Sequence, residues 1–471
     1  MSSPLTSRVV PQLKAALSRL GTDPERRDLG SWTHRPSGVE APLVLADTRG
    51  CLPGFLLSLI ATKEKRDPPP PPLTVVVTPD EARASALASE LQFFLGPSPL
   101  HEEGMTIPRA TVLPQNADMA YGDLGPDTEL ELERLAVLFK LSQGFMGPFL
   151  ILSGASLGQR LMPREAFEGL CDMVGPGETV DRRELVIKLD RAGYRQMPIV
   201  EDPGCYAVRG AIVDVYSPAM SHPCRLEFDG DTIIDLRRFH TESQRTVAHQ
   251  SVLYIHPVRQ TVLTSKETPR PKLAEAAEGS GCPSSRVNLI LDEIRQGTDF
   301  FGSEALLPAF HRQLEPLWSY LPQGTVFLVE DPQEVATELE LSWRRLNEAH
   351  QNRQEIHRLS FPPEEFFSTP GTVMEVVQAG SAGGWNSLEA PLGRELSAAH
   401  ETETAKSVEE QAPPPPPPQV EILETQGMTP LIAKVQKASS QKGGEILAPL
   451  AQAIREWRND GLRVFVAAAE K

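Results

Sequence analysis

The sequence predicts an α/β fold in which a parallel sheet is accompanied by a separate antiparallel, β-rich segment. Between residues 42 and 153, short apolar runs alternate with amphipathic helical segments. This alternation is typical of a parallel sheet with right-handed crossovers. Between residues 204 and 246, the hydrophobic period changes to two and turn residues follow at short intervals, which indicates antiparallel strands.

The composition limits the function. A chain of 471 residues is too long for one core and suggests about three domains. Its formal charge of −17 opposes tight binding to phosphate and leaves at most a weak contact with DNA. No apolar run approaches the roughly 18 residues that a membrane helix needs, so we expect no membrane partner and a cytoplasmic location.

Cysteine and histidine spacing predicts neither a metal site nor a disulfide framework. The five cysteines are widely spread without C-x-x-C, which favours idle or buried thiols in a reducing cytoplasm. The ten histidines show neither H-x-x-x-H nor H-E-x-x-H spacing. We therefore expect no cofactor.

The parallel-sheet part is predicted from four apolar runs and the helix signals between them. The runs are APLVLAD, LTVVVTP, ATVLP and FLILSG. Thr78, with Glu81 three residues later, predicts the start of the helix that follows the second run. Thr128 and Glu131 predict a second capping box, and Gly144 the end of that helix. A helix capped by Asp181 and Glu184 should follow and end at Gly193.

The antiparallel segment is predicted from strict alternation. Residues 211–216 show the period of two that is typical of a strand, and residues 224–228 alternate apolar and charged side chains, so Arg225 should lie on the solvated face. Asp229-Gly230 supplies the positive φ of a tight hairpin turn, and residues 232–239 return as the partner strand.

Beyond this segment, residues 285–349 return to helices and one strand, GTVFLVED. From about residue 371 the chain is rich in small residues, acidic residues and proline, which predicts a linker with an extended polyproline spacer at 413–418. Residues 445–459 predict an amphipathic helix, and LRVFVA predicts a strand after it. One helix and one strand cannot bury a hydrophobic face, so we expect this last domain to be cut off.

The sequences VRGAIVDVYSP and CRLEFDGDTIIDLRRF, followed by ESQRT, resemble the UvrB-homology module of bacterial transcription-repair coupling factors. The resemblance is strongest over roughly 180–250, and continues loosely upstream and through FFGSEALLPAFHRQLEPLWSYLP. It implies that the β-rich domain is inserted into a P-loop-like α/β domain and docks the repair protein UvrA. Intact relatives add an RNA-polymerase-binding domain and an ATP-driven DNA translocase, neither of which we find here.

The resemblance also implies domain boundaries. These are 1–162 for the first part of the α/β domain, 163–258 for the inserted UvrA-docking-like domain, 259–370 for the second part of the α/β domain, 371–420 for the linker and 421–471 for the start of a truncated small α/β domain.

The P-loop of UvrB corresponds here to VLADTRGCLPG, which has lost the residues that hold phosphate. Leu52 falls on the lysine position, Pro53 on the hydroxyl position, and Arg49 replaces a glycine. Proline also removes an amide that would face the phosphate. We expect a degenerate P-loop without ATP, and hence a chain that is not an enzyme.

The resemblance implies four partner-binding residues. Arg209 matches the arginine of an RGA motif, Arg225 that of an RLDFF-like motif, and Phe228 its first aromatic. Asp229 replaces the second aromatic, which removes apolar contact area. Arginine suits such a surface because its planar fork binds carboxylates. The hypothesis requires exposed guanidinium groups, and it fails if both turn inward to neutralise buried acids. The alternative is that both arginines are ordinary solvated strand residues.

Two other functions stay open. Residues 154–158, GASLG, match G-x-S-x-G after a strand, which would make Ser156 the nucleophile of a serine hydrolase, although we expect a plain turn there. The chain could also be a non-functional remnant of a split gene. An aromatic-rich, DNA-threading hairpin as in UvrB is not found before residue 160, which favours the coupling factors over UvrB.

Overall fold

The computed structural model describes residues 43–46, 51–61, 73–96, 100–102, 104–116, 120–122, 127–263, 269–296, 303–385, 419–422 and 448–459. The predictions for Arg49, the proline run at 413–418 and the strand LRVFVA lie outside these residues.

The first part of the chain alternates strands and helices, as predicted. Its elements are β1 (Leu43–Ala46), α1 (Leu52–Ala61), β2 (Thr74–Thr78), α2 (Glu81–Leu95), β3 (Leu100–Glu102), β4 (Met105–Ile107), β5 (Ala110–Val112), α3 (Thr128–Gln143), β6 (Phe149–Ser153), α4 (Gly154–Gly158) and β7 (Arg160–Leu161). All four predicted strands are confirmed.

Two helices begin differently from the predicted caps. The N-cap of α2 is Asp80, whose side chain accepts a hydrogen bond from the Arg83 amide, so the cap at Thr78 was wrong. The N-cap of α3 is Asp127 rather than Thr128. In both cases a carboxylate caps the helix, and a negative charge is favoured near the positive end of the helix dipole. Gly144 ends α3 in the left-handed conformation, as predicted.

The middle of the chain forms the β-rich domain. Its elements are α5 (Arg164–Glu168), β8 (Asp172–Val174), α6 (Arg182–Arg191), β9 (Arg195–Gln196), β10 (Cys205–Arg209), β11 (Ile212–Tyr216), β12 (Cys224–Asp229), β13 (Thr232–Phe239), β14 (Thr246–His249) and β15 (Leu253–Ile255). Six of the strands form one sheet in the order β14-β13-β12-β11-β10-β9. The neighbours pair antiparallel except β9 and β10.

Two tight hairpins shape this sheet. Arg209 pairs with Ile212, so Gly210 and Ala211 form the turn, and the expectation that Ala211 lies in a strand was wrong. Gly210 has φ 62°, which glycine adopts without strain. Gly230 likewise has φ 61° and shares its turn with Asp231.

The last part returns to helices and parallel strands. Its elements are α7 (Arg270–Ser280), α8 (Ser284–Gln296), a 3₁₀ turn (Glu304–Leu306), α9 (Leu307–Phe310), β16 (Glu315–Pro316), a 3₁₀ turn (Leu317–Tyr320), β17 (Val326–Glu330), α10 (Pro332–Glu355), α11 (Pro363–Phe366), α12 (Pro370–Gly380), β18 (Ser381–Trp385), β19 (Gln419–Ile422) and α13 (Ala448–Asn459).

The expected start of the linker at 371 needs correction. Residues 370–380 form α12 instead, because Val373, Val376 and Val377 are spaced for one helix face and are buried. The chain then adds β18 to the parallel sheet.

Within the described residues the parallel sheet has seven strands, in the order β19-β1-β18-β17-β2-β6-β5. Strand β17 lies between β18 and β2, so the sheet is completed only after the β-rich domain has been traversed. One apolar cluster joins the two parts and includes Leu138 of α3, Leu189 of α6 and Leu226 of β12. The ring of Phe139 also stacks on His256 at 5.0 Å. The β-rich sheet is therefore packed on the parallel-sheet domain.

Candidate protein-docking surface

The six-stranded sheet has an apolar inner face and a charged outer face. On the inner face Val213, Val215 and Leu226 are fully buried in the shared core. The pairing of β10 to β13 places the alternate residues on the other side, where each lies opposite the next across the sheet. We call this side the outer face and define it by Arg209, Ile212, Asp214, Arg225, Glu227, Asp235 and Arg237.

At the centre of the outer face, two arginines bind one buried acid. The Asp214 side chain is 0% exposed. Arg225 donates to it through Nε at 2.7 Å and through Nη2 at 2.9 Å, and Arg209 donates through Nη2. The bidentate geometry is the strong form of a charge-assisted hydrogen bond. Two guanidinium groups share one carboxylate, so the cluster keeps one net positive charge.

The two arginines differ in exposure. The Arg225 side chain is 18% exposed and its guanidinium carbon lies 4.5 Å from the centre of the Phe239 ring. The expectation that Arg225 lies on a solvated face was therefore wrong. Its hydrogen bonds with Asp214 raise the pKa of Arg225, although burial opposes this rise. The Arg209 side chain, by contrast, is 45% exposed at the end of β10.

Gln244 supports Arg225 by a hydrogen bond on the outer face, a role that the sequence did not reveal. Its Nε2 donates to the carbonyls of Val200 at 3.2 Å and Thr241 at 2.7 Å, and its Oε1 accepts from Arg225 Nη2 at 3.4 Å. Gln244 has φ 56°, which is uncommon for a residue other than glycine. Its position within ESQRT was the available signal, but periodicity gives no reason to select it.

The structure does not bring the other two candidates into this cluster. Phe228 is 5% exposed and packs in the core on the inner face, so its ring is not available to a partner in this conformation. Asp229 is exposed at the end of β12, beside the turn at Gly230. The candidate surface therefore consists of Arg209 supported by Asp214 and Arg225.

The neighbouring charges of the outer face bind one another. Arg237 pairs with Glu227 and, at 2.9 Å, with Asp235, and His249 lies 3.1 Å from the same aspartate. The Arg237 side chain is 30% exposed. Of the three outer-face arginines, Arg209 is thus the most accessible to a partner.

Ser156 lies in a different environment. Helix α4 begins directly after β6, so the plain turn expected at GASLG was wrong. Ser156 is 1% exposed, and the short helix around it is closely packed, with Gly154 against Val335 and Leu339 and Gly158 against Val373. A substrate cannot reach Ser156 Oγ in this conformation.

In the region of the expected degenerate P-loop, the structure describes strand β1 and the residues from Cys51 onward. Helix α1 begins at Leu52 and includes Pro53. A Cβ on Gly54 would come within 2.6 Å of Glu90 Cβ, so this glycine serves close packing of α1 on α2. Over the described residues there is no group of three or more side chains that could hold a metal ion, and no helix that could span a membrane.

Comparisons with known proteins assign the β-rich domain. Residues 173–260 match the family model of the UvrB interaction domain, a range that contains the whole six-stranded sheet. The chain resembles the N-terminal module of transcription-repair coupling factors. Over 310 residues it is 35% identical to the transcription-repair-coupling factor of Myxococcus xanthus, which is 64% of this chain and 26% of that protein.

Two further relatives support the same assignment. The transcription-repair-coupling factor of Haemophilus influenzae is 29% identical over 253 residues, 54% of this chain and 21% of that protein. That of Escherichia coli is 30% identical over 213 residues, 45% of this chain and 18% of that protein. The chain spans about a quarter or less of the length of these relatives.

Proposed function

We propose that this chain recruits UvrA in transcription-coupled nucleotide excision repair and performs no chemistry of its own. The observation that carries the proposal is that the UvrB interaction domain match coincides with the sheet whose outer face presents Arg209 over a buried carboxylate. We name UvrA as the partner because VRGAIVDVYSP and CRLEF resemble the docking motifs of the family.

The geometry supports Arg209 as the contact and the other two residues as its support. A buried acid that binds two arginines fixes them before a partner arrives, which lowers the entropic cost of binding. The single net positive charge favours a carboxylate on the partner. Arg209 and Arg225 both neutralise the buried carboxylate of Asp214, but Arg209 stays 45% exposed, so one guanidinium group is still available to a partner.

The test is the affinity of the purified chain for UvrA of the same organism, measured by calorimetry. Arg209→Glu should weaken binding at least tenfold, which corresponds to about 1.4 kcal/mol, because it opposes a partner carboxylate and places a second acid beside Asp214. Arg209→Lys keeps the charge but loses the planar guanidinium fork, so its affinity for UvrA should lie between those of the wild type and Arg209→Glu.

Arg295→Glu is the matched control. It also reverses an arginine charge, but on α8, where the side chain is 69% exposed and pairs with exposed Asp292. Circular dichroism should show that all variants are folded. Equal affinity of wild type and Arg209→Glu would refute this docking site, and no binding by the wild type would refute the proposed function.

We expect the α/β domain to bind no nucleotide, because Leu52 and Pro53 replace the two side chains that a P-loop needs. Titration with fluorescent ATP is the check, and micromolar affinity would contradict this. No observation favours the hydrolase alternative, since Ser156 is buried.

A further inference from the structure

An apolar residue continues the outer face beyond its charged centre. The amide of Met197 donates to the Tyr206 carbonyl at 2.8 Å, one step beyond the two paired residues of β9. In this parallel register Met197 lies opposite Ala207, which itself lies opposite Asp214. Met197 therefore belongs to the same side of the sheet as Asp214, and it is 45% exposed.

The segment after Met197 crosses the outer face and is fixed there. Val200 is 0% exposed and packs with Ala207 and Phe239 in a small apolar cluster on this side of the sheet. The carbonyl of Val200 accepts the hydrogen bond of Gln244 that also supports Arg225. Ile199, directly before this anchor, is 46% exposed. Two exposed apolar side chains are thus held on an ordered segment next to the arginine cluster.

The exposure of Met197 and Ile199 does not stabilise the described fold. Burying a side chain of this size stabilises a protein, so leaving two exposed on an anchored segment forgoes that stabilisation. Across the sheet, Met197 lies opposite Ala207, which is two residues from Arg209 on the same face. An apolar anchor beside an arginine is the composition of an interface centre rather than of an ordinary polar surface.

We propose that Met197 and Ile199 form an apolar ledge that, together with Arg209, receives a segment of UvrA in which an apolar side chain adjoins a carboxylate. This inference rests on the proposed function and names the chemistry of the partner. The carboxylate pairs with the net positive charge of the Arg209–Asp214–Arg225 cluster, and the apolar side chain packs on the ledge. Specificity comes from the combination of the carboxylate and the apolar side chain, because an acidic segment without the apolar residue leaves the ledge exposed to water.

The experiment measures UvrA affinity for full-chain variants. Met197→Ser and Ile199→Ser should each weaken binding about fivefold or more, and Met197→Glu more strongly than Met197→Lys, because only the glutamate repels the partner carboxylate. The control is Ile356→Ser, which removes an isoleucine that is 62% exposed at the end of α10 and should leave affinity unchanged. Amide hydrogen exchange of β10 in each variant checks that the sheet is intact.

The outcomes separate the two proposals. If the wild type does not bind UvrA, the proposed function fails and the ledge fails with it. If the wild type binds and Arg209→Glu weakens binding, but both serine variants bind like the wild type, the ledge is refuted and the docking function stands. If Met197→Lys weakens binding as much as Met197→Glu, the acidic character assigned to the partner segment is wrong.

Discussion

Replacing Asp214 by asparagine should loosen the β-rich sheet by an amount that follows from its contacts. The substitution keeps the shape of the side chain but removes the charge that three guanidinium N–H groups bind. Breaking a buried ion pair costs about 3–5 kcal/mol, whereas an exposed pair contributes about 0–1 kcal/mol. Because Arg225 is 18% exposed and Arg209 is 45% exposed, we expect a loss of about 3 kcal/mol.

Amide hydrogen exchange in the full chain measures this loss where it occurs. A change of about 3 kcal/mol corresponds to roughly a hundredfold increase in the opening constant of strands β10 to β12. Asp292→Asn, which breaks an exposed pair with Arg295 on α8, should change exchange less than threefold.

A double variant tests the cause. Asp214→Asn combined with Arg225→Met should lose less than the sum of the two single variants, because both the acid and the more buried of its two arginines have then been removed. Exchange in Asp214→Asn within threefold of the wild type would refute the view that this carboxylate organises the sheet.

Three further predictions concern single residues. Ser156→Ala should be neutral or stabilising by up to about 1 kcal/mol in thermal unfolding, because Ser156 Oγ is buried without a hydrogen-bond partner in the described residues, and a fluorophosphonate probe should not label the wild-type serine. Burial lowers the pKa of His256 to about 4, against about 6.5 in the unfolded chain. The neutral histidine therefore contributes its full stability above pH 6.5, and this contribution decreases as the pH falls toward 4. Hydrogen exchange should show a loss of about 2 kcal/mol at pH 5, and His256→Gln should not show it. Gly210→Val should cost about 1–2 kcal/mol, since φ is 62° there, whereas Gly210→Asn should cost less; equal stability of these two variants would contradict the strain argument.

The parallel sheet was predictable because its signals are local. Buried strands such as β2 and β6 are continuous apolar runs, and such a run predicts a buried strand without any knowledge of its tertiary contacts. The caps were harder, since Thr78 and Asp80 are both acceptable N-cap residues. The Thr78 hydroxyl instead donates to the carbonyls of Asp80 at 2.9 Å and Leu152 at 3.3 Å, and the second of these is a contact between distant residues.

The arrangement of the outer face could be predicted only in part. Alternation correctly placed Arg225 opposite in phase to Leu226, but it cannot tell which polar residues other segments will cover. Asp214 is buried because the segment around Val200 and the side chain of Gln244 close over this face. Those contacts join residues more than forty positions apart, as with Gln244 and Val200, for which the sequence pattern has no signal.

The strand order of the parallel sheet also fixes when it can form during synthesis. Strands β2 and β6 leave the ribosome early and can pair at once, but β17, which must lie against β2, emerges only after the entire β-rich domain. Strand β1 waits longer still, because its neighbour β18 begins at Ser381. Strand β1, the earliest strand among the described residues, is thus among the last of this sheet to find its place, and until then the nascent chain exposes an open sheet edge of the kind that makes folding intermediates prone to aggregation.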